Sequence, residues 1–330
     1  MDIFKFVVIG SGNISRTYFN AIGNIDEAEI VGVISRSGRK TESVGDDVEV
    51  KSRLEDITVD YDAVIITTPN GLHHSWAVTA AGLGKHVLTE KPLDITVEAM
   101  DAMISACRQN DVKLGVAYQR RTSPDNMIVK ELLEQNVLGK VFAADMQIKC
   151  YRKQEYYDSS SYRGGYAIDG GGPFIQQASH NIDIYGWFFG KPVKTVSMLG
   201  TFLHKIEGED HGIAILKHAD GMIGSIEAST CTSPGFPPVL TIHSEKGTCV
   251  LENDIITFWN MDGVANPSIS TGLKIHDGAT SAAVADGGGH ERIIIDFIEA
   301  VKQNRPPVVS GDEARLATEI VLDIYKNNVY

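Results

Sequence analysis

The chain has little cysteine: Cys107, Cys150, Cys231 and Cys249 are the only four in 330 residues. None forms a CxxC pair, so a reduced, cytoplasmic compartment is the expectation. It has no apolar run near the ~20 residues that span a bilayer. Basic residues are also short, with 30 Lys and Arg against 43 Asp and Glu, a formal charge of -13. That balance argues against a nucleic-acid or anionic-membrane partner, and leaves room for a small anionic ligand in a local basic pocket. Met1-Asp2-Ile3-Phe4-Lys5 leads straight into a strand and lacks the layout of a signal peptide. There is no fixed-period repeat and no low-complexity tract. His204, His211, His218, His243 and His276 show no paired metal spacing and read as structural or surface residues.

What the chain does have is the composition of a soluble globular protein, 43% apolar and 22% charged. Its length fits two domains. Phe4 to Ile9 reads as a buried strand, followed by Gly10-Ser11-Gly12-Asn13-Ile14-Ser15 and a helix to about Ile22. Gly10 permits the tight turn, and Gly12 lets the backbone approach a pyrophosphate. The free N–H groups of the helix start then favour phosphates, with Asn13 and Ile14 beside them. Ser15 stands where the dinucleotide fingerprint prefers a third Gly or Ala.

A second strand, Glu29 to Ile34, ends without the acidic residue that binds a ribose 2′-hydroxyl. Ser35-Arg36-Ser37-Gly38-Arg39-Lys40 follows, and a hydroxyl with a guanidinium suits a 2′-phosphate. The cofactor expected is NAD or NADP, tilted to NADP. A third strand, Asp62 to Thr67, ends in Thr68-Pro69-Asn70, with His73 beginning a helix. Thr67 and Asn70 are placed to hydrogen-bond a ribose, Pro69 shapes the wall, and His73 is a further expected cofactor contact.

The next strand delivers Thr89-Glu90-Lys91-Pro92 to the same sheet edge, where open α/β sheets bind ligands. Pro92 removes a backbone donor and pushes Lys91 out of the helical region. A lysine on so rigid a turn has a fixed direction, which suits a proton donor. A further strand, Lys113 to Ala117, ends in Tyr118-Gln119-Arg120-Arg121.

Beyond this, Val141 to Tyr151 alternates as an antiparallel strand, and 155–165 reads as a polar, tyrosine-rich loop with Tyr156, Tyr157, Tyr162 and Arg163. Asp169-Gly170-Gly171-Gly172-Pro173 then predicts a helix from about Pro173 to Phe189. On it Gln176, His180, Asp183 and Trp187 recur at spacings that share one face. A polar stripe on an apolar helix needs partners, and lining a pocket supplies them. Six short strands between Thr195 and Trp259 follow at hairpin spacing. Two helices close the chain, at about 289–303 and 312–327.

Taken together, Gly10-x-Gly12, Thr67-Thr68-Pro69-Asn70, Glu90-Lys91-Pro92 and Tyr118-Gln119-Arg120-Arg121 resemble the glucose-fructose oxidoreductase, inositol dehydrogenase and rhizopine catabolism (Gfo/Idh/MocA) family. The resemblance covers nearly the full length. It implies a Rossmann nucleotide-binding domain over 1–121 and an α+β substrate-binding domain over 122–288 with a large, mostly antiparallel open sheet. The helices of about 289–330 would return to the first domain. It also implies self-association, a homodimer or homotetramer through the open sheet. In that family the lysine of the Glu-Lys-Pro motif lies beside the nicotinamide, and the Thr-Pro-Asn and Gln119-Arg stretches line the cofactor.

The resemblance therefore implies hydride transfer between a nicotinamide and a hydroxyl or carbonyl carbon of a sugar, glycoside, nucleotide sugar or cyclitol. His180 and Asp183 match the family's histidine and aspartate. Gln176 stands where many sugar and inositol dehydrogenases carry Asp, and an amide cannot take a proton as a carboxylate can. That leaves His180 or Lys91 as the acid and base, with the other steadying the alkoxide. Arg121, Tyr162, Arg163 and Gln176 are expected substrate contacts, and Asp183 is read as structural. Two other readings stay open. One is a family member that retains NAD and cleaves glycosides by oxidation and elimination. The other is a regulator that senses the dinucleotide without chemistry, which has no need of both Lys91 and His180.

Overall fold

The computed structural model describes residues 3–36, 45, 48–270 and 288–329. Ser37, Gly38, Arg39, Lys40 and His276, named above, lie outside the described residues. The chain divides into two compact units, Met1–Gln119 with Asp286–Arg315, and Arg120–Ala285 with Leu316–Tyr330.

The first unit is built on six parallel strands: β1 (Phe4–Ile9), β2 (Ala28–Ile34), β3 (Glu49–Lys51), β4 (Ala63–Ile66), β5 (His86–Thr89) and β6 (Leu114–Val116). Their order, β3-β2-β1-β4-β5-β6, reverses direction at β1. A doubly wound sheet opens a ligand crevice beyond the carboxyl ends of its strands at such a point. The strands are apolar runs because both faces are covered: Phe6 to Ile9 and Ala63 to Ile66 are fully buried. Helix α1 (Asn13–Gly23) buries Ser15, Tyr18, Ala21 and Ile22, one stripe at helical spacing. Helix α2 (His73–Gly82) follows β4. Helix α3 (Val97–Gln109) starts at Thr96, whose hydroxyl accepts the Ala99 N–H at 3.2 Å. The three-residue β3, Glu-Val-Lys and only half-buried, carries no apolar run and was not legible in the sequence.

The second unit opens with α4 (Pro124–Glu134) and holds a seven-stranded sheet. Its strands are β7 (Val141–Lys149), β8 (Lys194–Gly200), β9 (His211–Lys217), β10 (Ile223–Ser229), β11 (Val239–Ser244), β12 (Gly247–Glu252) and β13 (Ile255–Met261). The order is β13-β12-β11-β7-β10-β9-β8. All neighbours are antiparallel except β7 and β10, which run parallel. The hairpin spacing concealed that one pairing. The fold is thus the expected Rossmann sheet plus a mostly antiparallel open sheet.

Two local expectations need correction. The tyrosine-rich stretch contains a short helix, α5 (Gln154–Asp158), instead of a continuous loop. Helix α6 spans Ser179–Phe189, and residues 173–178 are turns, so Gln176 precedes the helix that carries His180, Asp183 and Trp187. The glycines explain the late start. Gly170 and Gly171 adopt φ of +90° and +134°, and a Cβ on Gly172 would collide with the Glu209 carbonyl. The chain leaves this constriction through turns before a helix can form. Two helices end the chain, α7 (Gly289–Lys302) and α8 (Gly311–Lys326).

Candidate active site

In the first unit the glycine turn leaves β1 with Gly10 at φ +112°. A Cβ there would meet the Thr67 hydroxyl at 2.6 Å, so this position needs glycine. At Gly12 a Cβ would meet nothing within 4 Å, and Gly12 caps α1 without a side-chain hydrogen bond. The exposed Asn13 and half-buried Ile14 follow it. The N–H groups of the first turn therefore have no side-chain acceptor, which fits a phosphate. Ser15, in place of the third glycine, is buried and donates its hydroxyl to the Gly12 carbonyl at 2.6 Å, so the turn accommodates it. The Thr67 hydroxyl donates to Ile9 O at 2.9 Å and ties β4 to β1. The neighbouring Thr68 Oγ1 is buried without any hydrogen-bond partner, an orphan that a ribose hydroxyl would satisfy. Half-buried Pro69 and buried Asn70 follow on the same edge. At the end of β2, Ser35 is buried and Arg36 is exposed. These groups fit a dinucleotide.

The Lys91 turn is clamped from several sides. Glu90 is buried, and its Oε2 accepts the Lys91 N–H at 3.1 Å. Its Oε1 takes the Tyr18 hydroxyl at 2.9 Å and His290 Nε2 at 3.3 Å. Burial pushes this carboxyl up, but the His290 hydrogen bond and charge, the Lys91 charge and the Tyr18 hydroxyl outweigh it. The net result lies below the ordinary glutamate value. The Lys91–Pro92 peptide is cis. His73 is fully buried, and its ring nitrogens sit 2.9 Å from both Thr68 O and Pro92 O. It was expected to contact cofactor; both ring nitrogens are instead spent on backbone carbonyls, so it braces the turn. His74 adds a second brace, its N–H and Nδ1 each 3.0 Å from Asp94 Oδ2. Lys91 and Gln119 are half-buried.

In the second unit Arg121 departs from its expected role. It is 3% exposed and forks onto Asp183, Nε and Nη2 donating at 2.8 and 2.7 Å. Its guanidinium also lies 5.5 Å from the Trp187 ring. With two donors committed to a buried carboxylate, it fixes α6 instead of greeting a substrate. Asp183 is accordingly a structural anchor. His180 is half-buried one turn before it, and Gln176 donates to Asp169 O at 2.9 Å. Tyr162 and Arg163 are half-buried.

His204, Asp210 and Cys231 bring ligand-type atoms within 4.8 Å of one another, a grouping the sequence spacing did not show. His204 Nδ1 already meets Asp210 Oδ2 at 3.1 Å and Nε2 meets Arg152 O at 2.8 Å. Asp210 also accepts three backbone N–H bonds from residues 202–204. The group reads as a satisfied clasp on that turn. Tyr18, His290 and His74 were missed from the sequence because each acts on a partner distant in the chain.

Comparison with known proteins agrees with this geometry. The family model described as an oxidoreductase family with an NAD-binding Rossmann fold matches residues 4–118. The model of the GFO/IDH/MocA C-terminal domain matches residues 127–250. The chain belongs to the Gfo/Idh/MocA family. As a Gfo/Idh/MocA protein it is an NAD(P)-dependent oxidoreductase. It is 25% identical to inositol 2-dehydrogenase of Rhizobium meliloti over 258 residues, 76% of each chain. It is 24% identical to myo-inositol 2-dehydrogenase of Thermotoga maritima, over 94% of this chain and 92% of that one. The WlbA dehydrogenase of Bordetella pertussis, solved with NADH and UDP-GlcNAcA, superposes with a TM-score of 0.84 at 28% identity. That match covers 98% of this chain and 96% of that one. Among the described residues no helix is long and apolar enough to cross a membrane.

Proposed function

We infer that this oxidoreductase transfers a hydride between the nicotinamide and a hydroxyl-bearing or carbonyl carbon of a sugar, glycoside, nucleotide sugar or cyclitol. The Lys91 turn, held by Glu90 and His73, carries this reading. Relatives named for inositol and a neighbour solved with a nucleotide sugar support the substrate class. When bound, the dinucleotide supplies the hydride chemistry. The Lys91 ammonium steadies the alkoxide, and the His180 imidazole takes or gives the hydroxyl proton. A lysine whose backbone is fixed at both neighbours costs little reorganisation when charge develops.

Gly10, Gly12, Thr68 and Asn70 are assigned to the dinucleotide. The exposed Arg36, with no acid at the end of β2, favours NADP over NAD. The protein is further assigned as a homo-oligomer through its open sheet. On that sheet Val196, Met198, Ile213 and Ile215 are exposed, and the pairings Val196 with Ile215 and Met198 with Ile213 make one continuous apolar face.

The test is a turnover screen over sugars and cyclitols with NAD and with NADP, repeated for Lys91→Met. Loss of at least about 100-fold in kcat/KM, with dinucleotide binding intact, is expected when the charge that steadies the alkoxide is removed. Wild-type turnover by Lys91→Met refutes the assignment.

A further inference from the structure

Beside the start of α6 the second unit holds a guanidinium that the protein does not use. Arg163 is half-buried, yet among the described residues it makes no ion pair and no side-chain hydrogen bond. Its guanidinium lies over the face of Tyr156, 4.4 Å from the ring centroid. A second guanidinium, that of Arg152, lies 5.5 Å from the same ring. Tyr156 is in turn fastened toward α6, because Gln177 Nε2 donates to its hydroxyl at 3.3 Å. The other Gln177 amide atom, Oε1, is buried without a partner. Asp169 accepts the Gly164 N–H at 2.8 Å, and its charge also acts on Tyr156.

Two like charges on one aromatic ring repel each other, and the ring quadrupole offsets only part of that cost. A guanidinium with its donors idle and partly out of water is a fork awaiting an oxyanion. The cluster sits next to Gln177, three residues before His180.

We propose that Arg163 and Arg152, mounted on Tyr156, form the subsite for an anionic substituent of the substrate, a carboxylate or phosphate carried by the sugar. This rests on the reading of His180 as a substrate contact, and it narrows the substrate class to sugars that carry an anionic group. Arg163 makes the direct fork. Arg152, which also donates to Tyr151 O at 2.9 Å, adds charge from the other contact with the ring.

The experiment uses the full chain saturated with NADH or NADPH. It is titrated with paired probes in the gluco, galacto and manno series: each hexose, its uronate and its 6-phosphate. Binding is read by quenching of dinucleotide fluorescence, and turnover is read in parallel with the oxidised cofactor. At least one anionic member should bind tenfold or more tightly than its neutral partner. Uronate and phosphate arms separate the two sources of charge. Arg163→Met should erase the charged-over-neutral ratio, Arg152→Met should reduce it by a smaller factor, and Arg163→Lys should keep part of it. Equal binding of charged and neutral partners by the wild type overturns the proposal, as does no response to any anionic member or a ratio unmoved in Arg163→Met. Turnover confined to neutral sugars would sink this subsite and leave the proposed reaction standing. Anion binding that depends on Arg163, without turnover of any sugar, would do the reverse.

Discussion

The Tyr18 hydroxyl donates to Glu90 Oε1 at 2.9 Å across 72 residues of chain. A helix next to the glycine turn thus holds the carboxylate under Lys91. Removing that hydroxyl in Tyr18→Phe takes a hydrogen bond from a buried charge, a loss of about 1.5–3 kcal/mol at neutral pH. Because the folded Glu90 carboxyl lies below its ordinary value of 4.5, its contribution is complete above that value. It is lost as pH falls through the lowered folded value. Denaturant unfolding of both proteins should show the stability gap shrinking in acid. A gap that ignores pH would mean that Glu90 is not ionised in the fold.

The Arg121–Asp183 pair predicts a non-additive result. Both side chains are almost fully buried, so either single change, Arg121→Met or Asp183→Leu, strands a charge and costs about 3–5 kcal/mol. The double variant should recover much of that loss, since no charge is left without its partner. Thermal or denaturant melts of the four proteins form the cycle. Additive losses would show that the two residues act separately.

Glu209 should make stability depend on pH in the opposite sense from Glu90. Burial pushes its carboxyl up to about 7, against the pull of N–H donors from Phe174 and Gly172 at 3.2 and 3.1 Å and the Tyr325 hydroxyl at 3.0 Å. An acid raised from 4.5 to about 7 holds its proton in the fold and loses it in the unfolded chain across that window. Its share of the stability therefore falls as pH rises through the window, and levels off above it. Glu209→Gln, though less stable throughout, should flatten that part of the slope in a series of melts. An unchanged slope would remove Glu209 as its source.

The apolar face of β8 and β9 predicts self-association. Met198 and Ile215 are 63% and 56% exposed, more than a lone soluble subunit usually leaves in one patch. The pair of changes Met198→Lys and Ile215→Lys should lower the mass measured by light scattering to that of a single chain. A wild-type protein that is already monomeric at micromolar concentration rules the face out as a stable interface.

The fold was largely legible because its signals are local. Buried parallel strands read as apolar runs, and Phe4–Ile9 was bounded correctly for that reason. Strand β3 was missed because Glu49, Val50 and Lys51 are half-buried at a sheet edge. The position of Lys91 at a strand end could be read from Pro92 and the run before it. What held Lys91 could not, because Tyr18, His73 and His290 reach the turn from three different helices. Arg121 was misassigned for the same reason. A pair of residues 62 apart leaves no spacing to read, and an arginine near a cofactor motif looks available until its partner is seen.

The imidazole of His290 completes a turn made 200 residues earlier. At about 5–20 residues per second, a ribosome needs roughly 10–40 s to cover that interval. All six strands of the nucleotide sheet are synthesised before helix α7, so the nascent sheet waits with its buried carboxylate one partner short. Synthesis of α7, and not of the sheet alone, finishes the seat of the lysine.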